Sequence, residues 1–223
     1  NVNVVDALAQ SCDVFFYEVG GGFEKTEFEG LGLELLVQYA RNFGLGSLTN
    51  IDIPGEAPAL VPDARWKRLN YRESWTTGDT YLLSIGQGFL LATPLQVLNT
   101  LTPVANGGTL YQPQLIHHIT DAEGNLVVPF EPKVLQTLDV DESVWQIVRE
   151  GLNLVVSEDG TGSRAQIEGV EVAGKTGTAE FCDDIAYKAG LCDIEEDETL
   201  PTHAWFMAYA PVDNPEIAVV AWV

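Results

Sequence analysis

Apolar residues recur at three- and four-residue steps from Val5 through Leu8, Cys12, Phe15 and Phe16 to Val19, which predicts an amphipathic helix running into Gly20-Gly21-Gly22. A second stripe, Leu33, Leu36, Val37, Ala40 and Phe43, predicts another helix, with Gly44 placed to close its C-terminus. From Leu45 to Thr80 the period is lost. Pro54-Gly55, Pro58 and Pro62 fall among exposed-looking charges, so this stretch reads as irregular surface structure of a kind that is often functional. Thr93-Pro94 then offers a capping hydroxyl ahead of a proline at the first helical position, and Leu95, Val97, Leu98, Leu101 and Val104 carry a helix up to Asn106-Gly107-Gly108. Alternating segments around Asp121-Ala122-Glu123-Gly124-Asn125 predict a small hairpin between Tyr111 and Phe130, and Asp141 caps a further helix that uses Val144, Ile147, Val148 and Leu152.

The last section changes period. Val170 to Phe181, Ala204 to Ala210 and Ile217 to Val223 read as three strands, and Pro211-Val212-Asp213-Asn214-Pro215 joins the last two in a tight antiparallel hairpin. Helices first and strands last predict an α+β domain, a helical lobe with loops over residues 1–165 beside late antiparallel strands over 166–223, with a cleft between them as the natural site.

The chain has 223 residues, 46% of them hydrophobic, enough to bury an ordinary core in one domain. Its net charge of -22, from 33 acidic against 11 basic residues, opposes binding to nucleic acid phosphates or to an anionic membrane surface and otherwise reads as a solvated exterior. No apolar run approaches the roughly 20 residues that cross a bilayer, and Asn1-Val2-Asn3 does not begin a signal peptide. Cys12, Cys182 and Cys192 have no second Cys or His at metal-ligand spacing, so zinc is not expected, and no metal or organic cofactor is implied. Cys12 falls in an apolar pattern and reads as an inert core thiol. Cys182 and Cys192 are close enough to close a short loop if oxidised, and two buried thiols are the alternative.

Two local features bear on chemistry. Ala173-Gly174-Lys175-Thr176-Gly177-Thr178-Ala179-Glu180 places a cation, two hydroxyls and a glycine at a strand entry. Lys175, Thr176 and Thr178 could grip a carboxylate, Gly177 would let a substrate approach the backbone, and a strand-edge N–H could stabilise an oxyanion. Alone, this is compatible with an ordinary strand. The second feature is Ser11-Cys12-Asp13, and such motifs occur as an ordered set in serine acyl-transferases. Positions i and i+2 lie about 200° apart on a helix, so Ser11 and Asp13 reach one cleft only if the helix is interrupted there, and a break is predicted.

These residues lie within a longer resemblance. Ala7 to Asp13, Phe43 to Gly46, Ile51 to Glu56, Ser84 to Gly88 leading into Thr93 to Gln96, Ala105 to Gly108, Gly160 to Gly162, Ala173 to Glu180 and His203 to Phe206 stand in the order found in class B penicillin-binding proteins. The chain most resembles the elongation-type transpeptidases called penicillin-binding protein 2. The resemblance implies a penicillin-binding, serine β-lactamase-like fold. It makes Ser11 part of a proton relay to the leaving group, with Asp13 standing where many relatives have Asn, and makes Lys175 the holder of relay and substrate carboxylate. Thr176 and Thr178 would grip the D-Ala-D-Ala terminus of a peptidoglycan stem peptide or a β-lactam, and the Thr178 N–H would form half of an oxyanion hole. His203 and Trp205 read as sheet residues near the site. Wall-synthesis membrane partners and an extracytoplasmic location are implied for the parent protein, a setting that permits the Cys182 to Cys192 bridge.

One departure matters. The family's nucleophilic Ser-x-x-Lys is absent: the residues three before Lys25, Lys67, Lys133, Lys175 and Lys188 are Gly22, Ala64, Phe130, Val172 and Ile185. The expectation is a truncated transpeptidase domain that cannot be acylated by itself, with a sheet face left open to dimerisation or edge pairing. A serine β-lactamase or penicillin-sensing receptor shares the Lys175-Thr176-Gly177 chemistry but fits the Ile51 to Gly88 segment poorly. A non-catalytic scaffold of wall synthesis is the other reading.

Overall fold

In the computed structural model, residues 2–182, 187, 190, 192 and 201–223 are described. The predicted break is present. Helix α1 (Val4–Ala9) starts where the Asn3 side chain accepts the Asp6 N–H at 2.9 Å, and α2 (Asp13–Gly21) follows after Ser11 turns left-handed at φ 53°. The turn is closed by the Cys12 N–H donating to the Ala7 carbonyl at 2.9 Å. Cys12 therefore does not lie in the core. It is a half-buried free thiol at the N-cap of α2, because the break removes it from the apolar stripe that the period suggested.

Helix α3 (Gly32–Asn42) ends as its sequence indicates, with Gly44 at φ 91°. The stretch from Leu45 to Thr80 is more regular than expected, since α4 (Ala64–Tyr71) falls within it and α5 (Thr77–Ser84) begins in it. Both are secured by polar groups: Asp63 caps α4, and Thr76 with Asp79 forms a capping box on α5. Lys67, one of the charges taken as exposed, is only 5% exposed and donates to both Asp79 carboxylate oxygens at 2.7 and 3.0 Å. A buried ammonium is tolerated there because its partner is buried with it.

Helix α6 (Pro94–Asn106) carries the expected proline start and Gly107 in the left-handed region at its end. Strands β1 (Thr109–Tyr111) and β4 (Val134–Thr137) pair, and β2 (Ile119–Thr120) with β3 (Leu126–Val128) makes the expected hairpin, held by Asp121 accepting the Asn125 N–H at 2.7 Å. Helix α7 (Glu142–Val155) is capped by Asp141, but its buried face runs through Trp145, Gly151, Leu152 and Val155. Val144 and Ile147 are exposed at 46% and 41%, so two of the four residues assigned to its inner face point away.

The late strands are β5 (Ala173–Glu180), β6 (Thr202–Ala210) and β7 (Ile217–Trp222), antiparallel in the order β5-β6-β7. Leu101 and Val104 of α6 and Trp145 and Leu152 of α7 pack with Ala173 and Tyr209 on one face of this sheet. Val155, Val156, Val172 and Ala208 form a second cluster. Each large apolar side chain buried here contributes about 1.5–3 kcal/mol. Gly151 lets α1 lie against α7, because a Cβ there would come within 2.6 Å of Leu8. This contact places the α1–α2 break beside β5.

Candidate active site

Three segments meet at the free edge of β5. Alternation along the strand decides which groups face outward. Phe181 donates its N–H to the Pro201 carbonyl on the β6 side, so the odd residues Lys175, Gly177 and Ala179 exchange ladder bonds with β6. Thr176, Thr178 and Glu180 then direct their backbone groups away from the sheet.

The Lys175 side chain folds to that edge. Its Nζ donates to Ser11 Oγ at 2.8 Å and to the Thr176 carbonyl at 2.9 Å. The left-handed turn at Ser11 brings its hydroxyl to this point, so the backbone conformation and the contact have one origin. Burial pushes the Lys175 ammonium below its ordinary value of 10.5, and the negative charge of Asp13 partly opposes this. Asp13 sits in the first turn of α2, where a carboxylate also favours the helix dipole. Among the described residues no group of three or more His, Cys, Asp or Glu could hold a metal ion. The set can do proton chemistry: a hydroxyl in contact with an amine of lowered basicity can pass a proton to a leaving group.

Thr176 is joined to a residue that sequence reasoning left without a role. Its hydroxyl lies 2.8 Å from the Thr161 hydroxyl, and the Thr161 N–H donates to the Ala9 carbonyl at 3.4 Å. Gln10 Nε2 adds a bond to the Asp159 carbonyl at 2.9 Å, so the loop after α7 ties the end of α1 to β5. Thr178 is exposed, with its N–H on the outer edge beside Thr176. Gly177 faces Trp205, whose Cβ would lie 3.2 Å from an added methyl, so the glycine also serves packing on the sheet. His203 and Trp205 are sheet residues opposite Ala179 and Gly177; His203 stacks on Phe181 at 4.3 Å.

Gln87 is the second residue that was missed. Its Nε2 donates to the Thr178 carbonyl at 2.7 Å, and its Oε1 accepts the Glu180 N–H at 3.3 Å. Thr161 and Gln87 both lie in segments that carried the family resemblance, Gly160 to Gly162 and Ser84 to Gly88. Their sequence context gives no separate chemical signal. The Cys182–Cys192 disulfide lies just beyond β5, which selects the bridge over two free thiols.

The penicillin binding protein transpeptidase domain family matches residues 1–223. The peptidoglycan D,D-transpeptidase MrdA of Haemophilus influenzae is 35% identical over 219 residues, which covers 96% of this chain and 32% of that protein. Penicillin-binding protein PBP2 from Helicobacter pylori, solved in complex with MreC, superposes with a TM-score of 0.75 at 29% identity, covering 100% of this chain and 36% of the other. Pseudomonas aeruginosa PBP2 in complex with WCK 5153 gives a TM-score of 0.75 at 30% identity, covering 100% of this chain and 44% of the other. The chain thus spans about a third of the length of the curated relative, and its α+β arrangement is that of the penicillin-binding structures. With the match running the whole length and the Lys-Thr-Gly strand meeting the serine of a broken helix, the chain belongs to the penicillin-binding protein transpeptidase domain family.

Proposed function

We propose that residues 1–223, one transpeptidase domain segment with a lobe at 1–165 and late strands at 166–223, supply the substrate edge and proton relay of a peptidoglycan D,D-transpeptidase. The observation that carries this is the 2.8 Å contact between Lys175 Nζ and Ser11 Oγ at the open edge of β5. A serine hydroxyl contributed by a Ser-x-x-Lys motif outside this chain gives its proton to that motif's lysine and attacks the carbonyl between the two D-Ala residues of a stem peptide. The oxyanion that forms accepts the Thr178 N–H, and the hydroxyls of Thr176 and Thr178 hold the terminal carboxylate near the Lys175 charge. The C–N bond then breaks, D-Ala leaves as an amine with a proton delivered through Ser11 and Lys175, and an acyl-enzyme remains. An amine of a neighbouring stem takes the acyl group and regenerates the serine. Thr161 positions Thr176 throughout.

A β-lactam occupies the same edge as a mimic of D-Ala-D-Ala. The relative solved with MreC, and the one solved as a peptidoglycan synthase complex, support wall-synthesis partners for the full-length protein, and an extracytoplasmic, membrane-anchored setting goes with the peptidoglycan substrate proposed here. No helix among the described residues is long and apolar enough to cross a membrane. Incubation with benzylpenicillin followed by intact mass spectrometry tests the reading. The full-length protein is expected to gain one covalent adduct and residues 1–223 alone none; no adduct on the full-length protein overturns the proposal.

A further inference from the structure

The Gln87 amide does what a neighbouring strand would do. One side chain donates to the carbonyl of Thr178 and accepts from the N–H of Glu180, two residues further along the same outer edge. An extended ligand lying antiparallel to β5 needs both outward groups of Thr178: a hydrogen-bonded antiparallel pair exchanges two bonds, one through the N–H and one through the carbonyl. The N–H is available to the ligand's reacting carbonyl. The carbonyl is already engaged at 2.7 Å.

We infer that Gln87 is a specificity-determining residue of the acyl-donor site: it occupies the Thr178 carbonyl until a ligand amide N–H displaces it. This deepens the transpeptidase reading and rests on it. The exchange is close to balanced, since one neutral N–H···O bond replaces another. The Gln87 backbone stays fixed, because its N–H donates to the Leu82 carbonyl at 2.9 Å at the end of α5, so only the side chain moves. Phe89 restrains the following residues by packing against Trp66 and Tyr71 at 5.3 and 4.9 Å. The ligands recognised by this exchange are acyl donors with a backbone-like amide N–H next to the reacting carbonyl unit, as in a peptide. Ligands without that N–H bind with the Gln87 bond left in place and gain nothing from its removal.

The test compares second-order acylation rates of the full-length protein by benzylpenicillin, which carries the side-chain amide, and by penicillanic acid, the same ring system without a side chain. Gln87→Ala removes the competing donor. Gln87→Met removes it while keeping the length and volume of the side chain, and so covers the case in which the alanine variant fails to fold. In either variant the benzylpenicillin to penicillanic acid rate ratio is expected to rise about fivefold, the effect of one ordinary hydrogen bond. A general loosening of β5 would slow both ligands together and leave the ratio unchanged. An unchanged or lower ratio in the folded variants overturns the inference while leaving the transpeptidase reading intact. Absence of acylation by either ligand in the unsubstituted protein overturns the transpeptidase reading and this inference with it.

Discussion

Ser11 combines a backbone cost with the contact on which the proposed relay rests. At φ 53° a residue with a Cβ is strained, and its hydroxyl nevertheless meets Lys175. Ser11→Gly is therefore expected to be more stable than Ser11→Ala by about 1 kcal/mol, while both lose the proposed relay hydroxyl. Denaturant unfolding and β-lactam acylation of the full-length protein read the two effects separately. Lys175→Met should lower acylation by about 100-fold or more. It should cost little stability, because it removes a desolvated charge. Since burial lowers the Lys175 value in the folded chain, the unfolded chain holds that proton more tightly, and stability rises with pH from the folded value up to 10.5. The methionine variant should lack that rise in a pH series of unfolding curves. The meeting of Ser11 with Lys175 was legible because their motifs recur in a fixed order, and the break at Ser11 because the roughly 200° offset from Asp13 demanded it. Gln87 and Thr161 were not, since an amide or hydroxyl acquires its role from segments brought together only by folding.

Elements were legible where apolar period and caps agree, as in α6, where Thr93, Pro94 and Gly107 mark both ends. Helices α4 and α5 escaped because each is 8 residues long and secured by ionic and capping groups in place of an apolar stripe. The buried face of α7 was misassigned because Val144 and Ile147 satisfy the helical period while Trp145 turns inward. The polar anchor of α4 and α5 makes a prediction. Burial is the largest influence on the Asp79 carboxyl and would raise it, but hydrogen bonds from Lys67 and from the Thr76 side chain and backbone together hold it below 3.8. Its stabilising effect is complete above 3.8 and is lost as pH falls through the lower folded value. Asp79→Asn should destabilise at neutral pH by about 3 kcal/mol, the low end for a broken buried pair. Glu73, 3.7 Å from Lys67, keeps the loss from being larger. Unfolding curves from pH 7 to 2 should also flatten in the variant; an unchanged acid limb would remove Asp79 from this role.

At the scale of the molecule, sheet and charge oppose one another. Strand β7 is an outer strand of the late sheet and exposes Ile217, Val219 and Trp222 at 62%, 47% and 52%. Such an edge favours pairing, whereas a net charge of -22 keeps copies apart. Residues 1–223 in isolation are expected to self-associate in a salt-dependent way, weakly at low ionic strength and more strongly as salt screens the repulsion. Sedimentation velocity over a concentration series at two salt levels checks this, and a monomer under all conditions would remove the edge as an association site. The α+β class was readable from the order of periods along the chain. That β6 lies between β5 and β7 was not, because strand order depends on contacts between distant segments.

The aromatic run across the end of the late sheet has an optical consequence. Trp205 and Trp222 sit opposite one another in adjacent strands, their rings 6.1 Å apart, with His203 beside Trp222 at 4.9 Å. Indole transitions at that separation couple, so the pair should give a two-signed circular dichroism band that vanishes when β6 and β7 part. The protein thus carries a native spectroscopic marker of strand register, readable without a label.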